Sequence, residues 1–169
     1  KYLNVTVRRK KSTKGLKMKK LLQALVCSTA LIMSAGAYAA EQGTAEEATA
    51  LVKKAVAFLK ANGKDKTLAE MSNNKGQFVD RDLYISVYDM NGKVVAHGTN
   101  AKLIGKDVSA LKDADGKEFI KDILSQAKAN GKGKSNYKWQ NPVTKEIQAK
   151  SVYFEKSEDM VFSGGYYTK

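Results

Sequence analysis

The chain has 169 residues, enough for one domain with a real core, and 30 Lys and Arg face 17 Asp and Glu for a formal charge of +13. Nine of the basic residues and none of the acidic ones fall in residues 1–39; from Ala40 on, 21 basic face 17 acidic residues, and a net +4 removes the case for a nucleic-acid partner. The one cysteine, Cys27, lies in the same opening segment, so the remainder holds no disulfide, thiol nucleophile or thiolate metal site.

Residues 1–17 are basic and unpatterned and read as an upstream extension that is not native. Met18-Lys19-Lys20, the apolar run Leu21 to Met33 and Ala37-Tyr38-Ala39 together fit a signal peptide over 18–39, cleaved before Ala40. An uncleaved anchor helix over Leu21 to Ala40 is the alternative. Val26 is too bulky for a lipidation site at Cys27. The expected mature domain is 40–169, and the expected compartment is the bacterial periplasm.

Thr44-Ala45-Glu46-Glu47 has the pattern of a capping box. Ala48, Leu51, Val52, Ala55, Val56 and Leu59 then mark one face of a helix that Asn62-Gly63 ends. A shorter helical turn is expected over Lys66 to Met71. Leu83 to Tyr88 and Val94 to His97 flank Asn91-Gly92, which predicts a hairpin with a two-residue type I′ turn. Counting outward, Met90 faces Lys93, Ser86 faces His97 and Tyr84 faces Thr99. Tyr84, Ser86, Tyr88, Val95 and His97 then share one face, and Leu83, Ile85, Val87, Val94 and Ala96 the other.

Asn100 to Asp113 reads as a crossing anchored by Leu103, Ile104, Val108 and Leu111. Asp115-Gly116-Lys117-Glu118 predicts a second capping box, followed by a helix with Phe119, Ile120, Ile123, Leu124 and Ala127 inward, closed by Asn130-Gly131. Three strands follow: Ser135 to Trp139, Glu146 to Phe154 and Met160 to Tyr166, with turns at Asn141-Pro142 and Glu158-Asp159. Short links between strands predict an antiparallel sheet. The fold expected is an α+β sandwich of PAS-like kind: five strands, a long N-terminal helix on the aliphatic face, and a second helix in the crossing on the aromatic face.

Enzymatic motifs are missing from the sequence. His97 is the one histidine, no GxSxG elbow occurs, and Gly131-Lys132-Gly133-Lys134 lacks phosphate-loop spacing. Asp113-Ala114-Asp115-Gly116 resembles the start of a calcium loop without its later glutamate, and capping explains Asp115 better. No enzyme activity, cofactor or metal is expected.

GQFVDRDLYISVYDMNGKVVAHGTNAKLIGKDVSALKDADGKEFI (76–120), NYKWQNPVTKEIQAKSVYF (136–154) and FSGGYY (162–167) resemble the single Cache domains of type 2, extracytoplasmic PAS-like sensor modules of bacteria. The resemblance spans roughly Ala45 to Tyr167. It implies a pocket for a small organic ligand of the acetate, propionate, pyruvate or lactate class. It also implies a membrane sensor kinase, receptor or transporter that reads the bound state, and it allows a homodimer. Because the sequence ends just after the last strand, the expectation is a free-standing periplasmic binder; the alternative is a structural subunit of a sensor kinase or chemoreceptor with no ligand of its own.

The candidate ligand-binding residues are Tyr84, His97, Phe119, Tyr137, Trp139, Asn141, Lys150 and Tyr153. Tyr137 and Trp139, two apart on one strand, share a face and exclude water. Lys150 offers a charge-assisted hydrogen bond to a carboxylate, and His97, Tyr84 and Tyr153 offer further donors. Each has a plainer reading: Trp139 as a core anchor, Lys150 as a solvated strand lysine or one paired with a carboxylate such as Glu146, His97 as a histidine satisfied within the sheet, Tyr84 as a cross-strand packing partner. Strict alternation sets Lys150 and Tyr153 on opposite faces, so one pocket holds both only with a bulge or twist.

Overall fold

A computed structural model describes residues 42–168; the extension and leader read over 1–39, and the cleavage point before Ala40, lie outside them. Helix α1 (Ala45–Asn62) opens with the expected capping box: the Thr44 hydroxyl accepts the Glu47 N–H at 3.2 Å and the Glu47 carboxylate accepts the Thr44 N–H at 2.9 Å. Gly63, at φ 78°, closes it with its N–H on the Leu59 carbonyl. Helix α2 (Lys64–Met71) starts at once, two residues earlier than expected. No helix among the described residues is long and apolar enough to cross a membrane.

The five expected strands all form, with one two-residue addition. They are β1 (Val79–Asp80), β2 (Leu83–Asp89), β3 (Val94–His97), β4 (Lys132–Gln140), β5 (Ile147–Ser157) and β6 (Met160–Thr168). Every pairing is antiparallel, in the order β2-β6-β5-β4, with both β1 and β3 paired to β2. Helix α1 covers one face, burying Val52, Ala55, Val56 and Leu59 against Ile85, Val87, Ala96 and Phe162. Helix α3 (Phe119–Asn130) covers the other, burying Phe119, Ile120, Ile123 and Leu124 against Tyr88, Tyr137, Val152 and Phe154.

The β2–β3 turn departs from the two-residue form. Only Gly92 has positive φ there, at 96°, whereas a type I′ turn needs two such residues. The Asp89 carboxylate instead accepts the N–H groups of Asn91 and Lys93, both at 2.9 Å, and Asp89 pairs with Lys93 through the backbone. The extra residue leaves as a bulge: Val87 faces Ala96, but Tyr88 faces Val94. Ser86 still faces His97 as counted. Val94 and Val95 exchange faces relative to expectation, so Val94 joins the core around Tyr88 while Val95 packs on the α1 side. Tyr84 pairs with Val79 of β1 and not with Thr99.

The second capping box does not form, because Asp115 has another task. Helix α3 starts at Phe119 with no side-chain cap on Glu118. Asp113 gathers the N–H groups of Asp115, Lys117 and Lys138, and Asp115 pairs with the Lys138 ammonium at 2.9 Å. These bonds pin the crossing to strand β4. Of the crossing's four expected anchors, Val108 is buried, Leu103 and Leu111 are partly buried, and Ile104 is exposed.

Gly164 and Gly165 serve opposite faces of β6. A Cβ on Gly164 would stand 2.9 Å from Val52 Cγ2 of α1. One on Gly165 would stand 2.6 Å from the Ser151 carbonyl oxygen and 2.9 Å from Lys150 Cε. The first glycine lets the helix approach; the second leaves a lane for the Lys150 side chain. Replacement Gly165→Ala is expected to cost about 1–3 kcal/mol in urea denaturation, since a backbone carbonyl cannot step aside; an unchanged midpoint would show that the lane is not needed.

Candidate functional site

The face of the sheet under α3 and the crossing encloses a small void of about 20 Å³. Tyr84, Ser86 and Tyr88 of β2 and His97 of β3 form its floor, together with Tyr137 and Trp139 of β4; Leu103, Val108, Leu111, Phe119 and Ile120 close it from above. This is room for about one water molecule. Aromatic packing accounts for the small size: Phe119 stacks on Tyr137 with centroids 4.0 Å apart, and Trp139 lies 5.3 Å from Phe119. A second cleft, about 150 Å³, adjoins it, lined by Thr99, Asn100, Gln140, Pro142 and Lys145. Tyr84, His97 and Trp139 line both spaces and so make the partition between them.

Lys150 stands behind this partition. It is 3 % exposed, and its ammonium lies 3.9 Å from the Tyr84 ring centroid and 4.8 Å from that of Tyr167. Among the described residues it has neither a hydrogen-bond acceptor nor a carboxylate within ion-pair distance. Glu146 instead accepts from Gln148. Burial pulls the lysine down to about 7, with the Asp82 charge opposing the shift. The Tyr84 and Tyr167 hydroxyls meet at 3.3 Å, and Tyr167 donates to the Gln140 carbonyl at 2.9 Å.

His97 is held neutral. Its Nδ1 accepts the N–H groups of Thr99 and Asn100 at 3.3 and 3.0 Å, which leaves Nε2 as the protonated nitrogen. Burial, with the Lys150 charge adding to it, lowers its pKa to about 4. Burial likewise pushes Tyr84 and Tyr137 well above the usual phenol value, and Tyr88 to about 12. Near neutrality the void and cleft therefore present phenol O–H groups and one imidazole N–H, a donor-rich wall suited to an anion, with the buried amine of Lys150 behind Tyr84. A histidine with so low a pKa is a weak general base at pH 7.

The structure brings Tyr84, His97, Phe119, Tyr137 and Trp139 around one void and sets Lys150 against Tyr84. It places two candidates elsewhere. Asn141 is buried in the β4–β5 turn, where its Oδ1 accepts the N–H groups of Val143 and Thr144 and its amide donates to Gln148; its side chain is spent on the turn. Tyr153 lies on the α1 face, against the other core, with its hydroxyl on Glu155, because β5 runs without a bulge at that point. Sequence reasoning missed Tyr167 and Asp82. Tyr167 carries a signal, two residues after Gly165 and so on the same face; Asp82, in a loop before β2, carries none.

The depressed lysine has a consequence for stability. Its folded pKa lies below the unfolded one, so between about pH 7 and 10 the unfolded chain binds the extra proton and stability rises with pH. The ligand-free protein is expected to gain about 2 kcal/mol from pH 7 to 9 in urea titrations. Lys150→Met should flatten that rise; an equal slope in both proteins would place the effect on another group.

The single Cache domain 2 family matches residues 13–169, a span that begins within the stretch read as an upstream extension and takes in the stretch read as a leader. The chain is 33% identical over 76 residues to the methyl-accepting chemotaxis protein McpP of Pseudomonas putida, and 37% identical over 70 residues to the sensor histidine kinase MctS of Rhizobium johnstonii. Those matches cover 45% and 41% of this chain but only 14% and 15% of the relatives' lengths. Among solved structures, a methyl-accepting chemotaxis protein of Vibrio parahaemolyticus aligns with TM-score 0.61 and 21% identity, over 92% of this chain and 97% of that one. A Cache chemosensory domain described for its recognition of carboxylic acids aligns with TM-score 0.58 and 20% identity, over 94% and 100%.

Proposed function

This chain belongs to the single Cache domain 2 family, and we propose that it binds a short carboxylate at the Lys150 end of the partition and passes the bound state to signalling or uptake. The domain is homologous to sensor domains of chemotaxis receptors and histidine kinases, which work outside the cytoplasm. One observation carries the ligand reading: a buried ammonium with no carboxylate within ion-pair distance among the described residues, beside phenol and imidazole donors. Such a charge is costly to bury, and a carboxylate offsets that cost best. The fold neighbour that recognises carboxylic acids supports the same class.

The ligand enters by the 150 Å³ cleft, where Pro142 and Gln140 meet Thr99 and Asn100. Acetate, propionate, pyruvate and lactate are the sizes that fit beside Trp139 once Tyr84 or Trp139 turns. The inner void admits them only as Leu103 and Leu111 of the crossing give way, which lowers affinity and ties binding to movement of the crossing. A membrane kinase, receptor or transporter is the proposed reader, and the apolar stretch Leu21 to Met33 the proposed export signal.

The small void favours a second reading, an interaction subunit without its own ligand. A thermal-shift screen with the four acids separates the two. A binder saturated at 100 times its Kd gains about 2.7 kcal/mol of stability, whereas a subunit without a ligand shows no shift with any acid. In calorimetry, Lys150→Met should weaken the acid that binds by about 1.5–3 kcal/mol; unaltered affinity would assign the charge recognition to another side chain.

A further inference from the structure

Asp82, just before β2, is fully buried. Its Oδ1 accepts the Gly43 N–H at 2.6 Å, which fixes the carboxylate against the start of α1. Its Oδ2 has no hydrogen-bond partner among the described residues. Leaving a carboxylate oxygen dry and unpaired is expensive, and neither the packing of the core nor the ligand reading so far accounts for it. Lys150 is its counterpart, a buried cation whose contacts are aromatic faces. No ion pair closes between the two, yet the Asp82 charge acts on both Lys150 and Tyr167.

The sheet explains how they come together. Lys150 faces Tyr167 across β5 and β6. The lane left by Gly165 carries the lysine stem over β6 to Tyr84 of β2, two residues from Asp82. We propose that Asp82 is the positioning counter-charge of the anion site: held by Gly43, it keeps the Lys150 amine an ammonium inside the sheet, and so able to bind a carboxylate.

This rests on the reading of Lys150 as the anion-binding group. Among the described residues, Asp82, Tyr84 of β2, His97 of β3, Tyr137 of β4 and Tyr167 of β6 surround that amine, while Asp113, Asp115, Lys117 and Lys138 line a surface cleft with the same lysine. The phenols stay protonated and the imidazole stays neutral near pH 7. Asp82 is the fully buried carboxylate among them, and it adds to the two phenol ring faces in opposing the cost of burying the ammonium.

The test is calorimetric titration of acetate and propionate into wild type and Asp82→Asn from pH 5.5 to 8.5. Asparagine keeps an oxygen for the Gly43 N–H and removes the charge. Wild-type affinity should fall as Lys150 deprotonates. In the variant the fall should come at lower pH, by about one unit, so that binding is about tenfold weaker at pH 8 and undiminished at pH 5.5. A uniform loss at every pH, which a merely structural role would produce, overturns the proposal, as does an unmoved profile. Asp82→Ser, also able to accept from Gly43, is measured if the asparagine variant does not fold. Binding by wild type with an unmoved variant profile defeats only the role of Asp82; no binding of either acid by wild type defeats the carboxylate reading as well.

Discussion

A lysine ammonium held inside a β-sheet sandwich is the constraint around which the rest is arranged. Lys150 reaches its place because β6 carries no side chain at Gly165. It is tolerated there because two phenol rings offer their negative faces at 3.9 and 4.8 Å. Those rings are themselves held by the hydroxyl contact between Tyr84 and Tyr167 and by the Gln140 carbonyl. The same tyrosines line or back the void, so the charge and the pocket share one set of side chains. Desolvation makes the amine easy to discharge; the buried carboxylate of Asp82 works against that.

The two faces of the sheet divide the labour. On the α1 face, aliphatic contacts and the close approach at Gly164 make a continuous core. On the α3 face, the core grades from aliphatic residues at Ile123, Leu124 and Val152 to the aromatic cluster of Phe119, Tyr137 and Trp139. The crossing that roofs this end packs only Val108 deeply and is otherwise held by backbone bonds to β3 and by Asp113. The part of the molecule best placed to yield to a ligand is therefore also the part with the least apolar burial.

Much of the fold was legible because its signals are local. A capping box, glycines after helices and alternating strands each act within a few residues, and the antiparallel order follows from short links. The exceptions are also local in cause but involve competition. Asn91-Gly92 suits a two-residue turn, yet the Asp89 carboxylate captures two nearby amides and wins a longer turn with a bulge, which exchanges Val94 and Val95. Asp115-Gly116-Lys117-Glu118 has the letters of a capping box, yet Lys138, distant in sequence, takes the Asp115 carboxylate first.

By itself the sequence determined which elements form, which face of each is apolar, and the family to which the chain belongs, since these rest on patterns of neighbouring residues. Strand alternation also set Tyr84 with His97 on one face and Tyr137 with Trp139 on one face, and the family resemblance joined the two pairs in one pocket wall. Tertiary structure alone decided that Asn141 and Tyr153 stand apart from that wall, that stacking of Phe119 on Tyr137 nearly closes the void, and that Lys150 crosses a neighbouring strand to come under the influence of Asp82. The reason is one of distance: whether a charge is buried, and what faces it there, depends on strands brought side by side from remote parts of the chain.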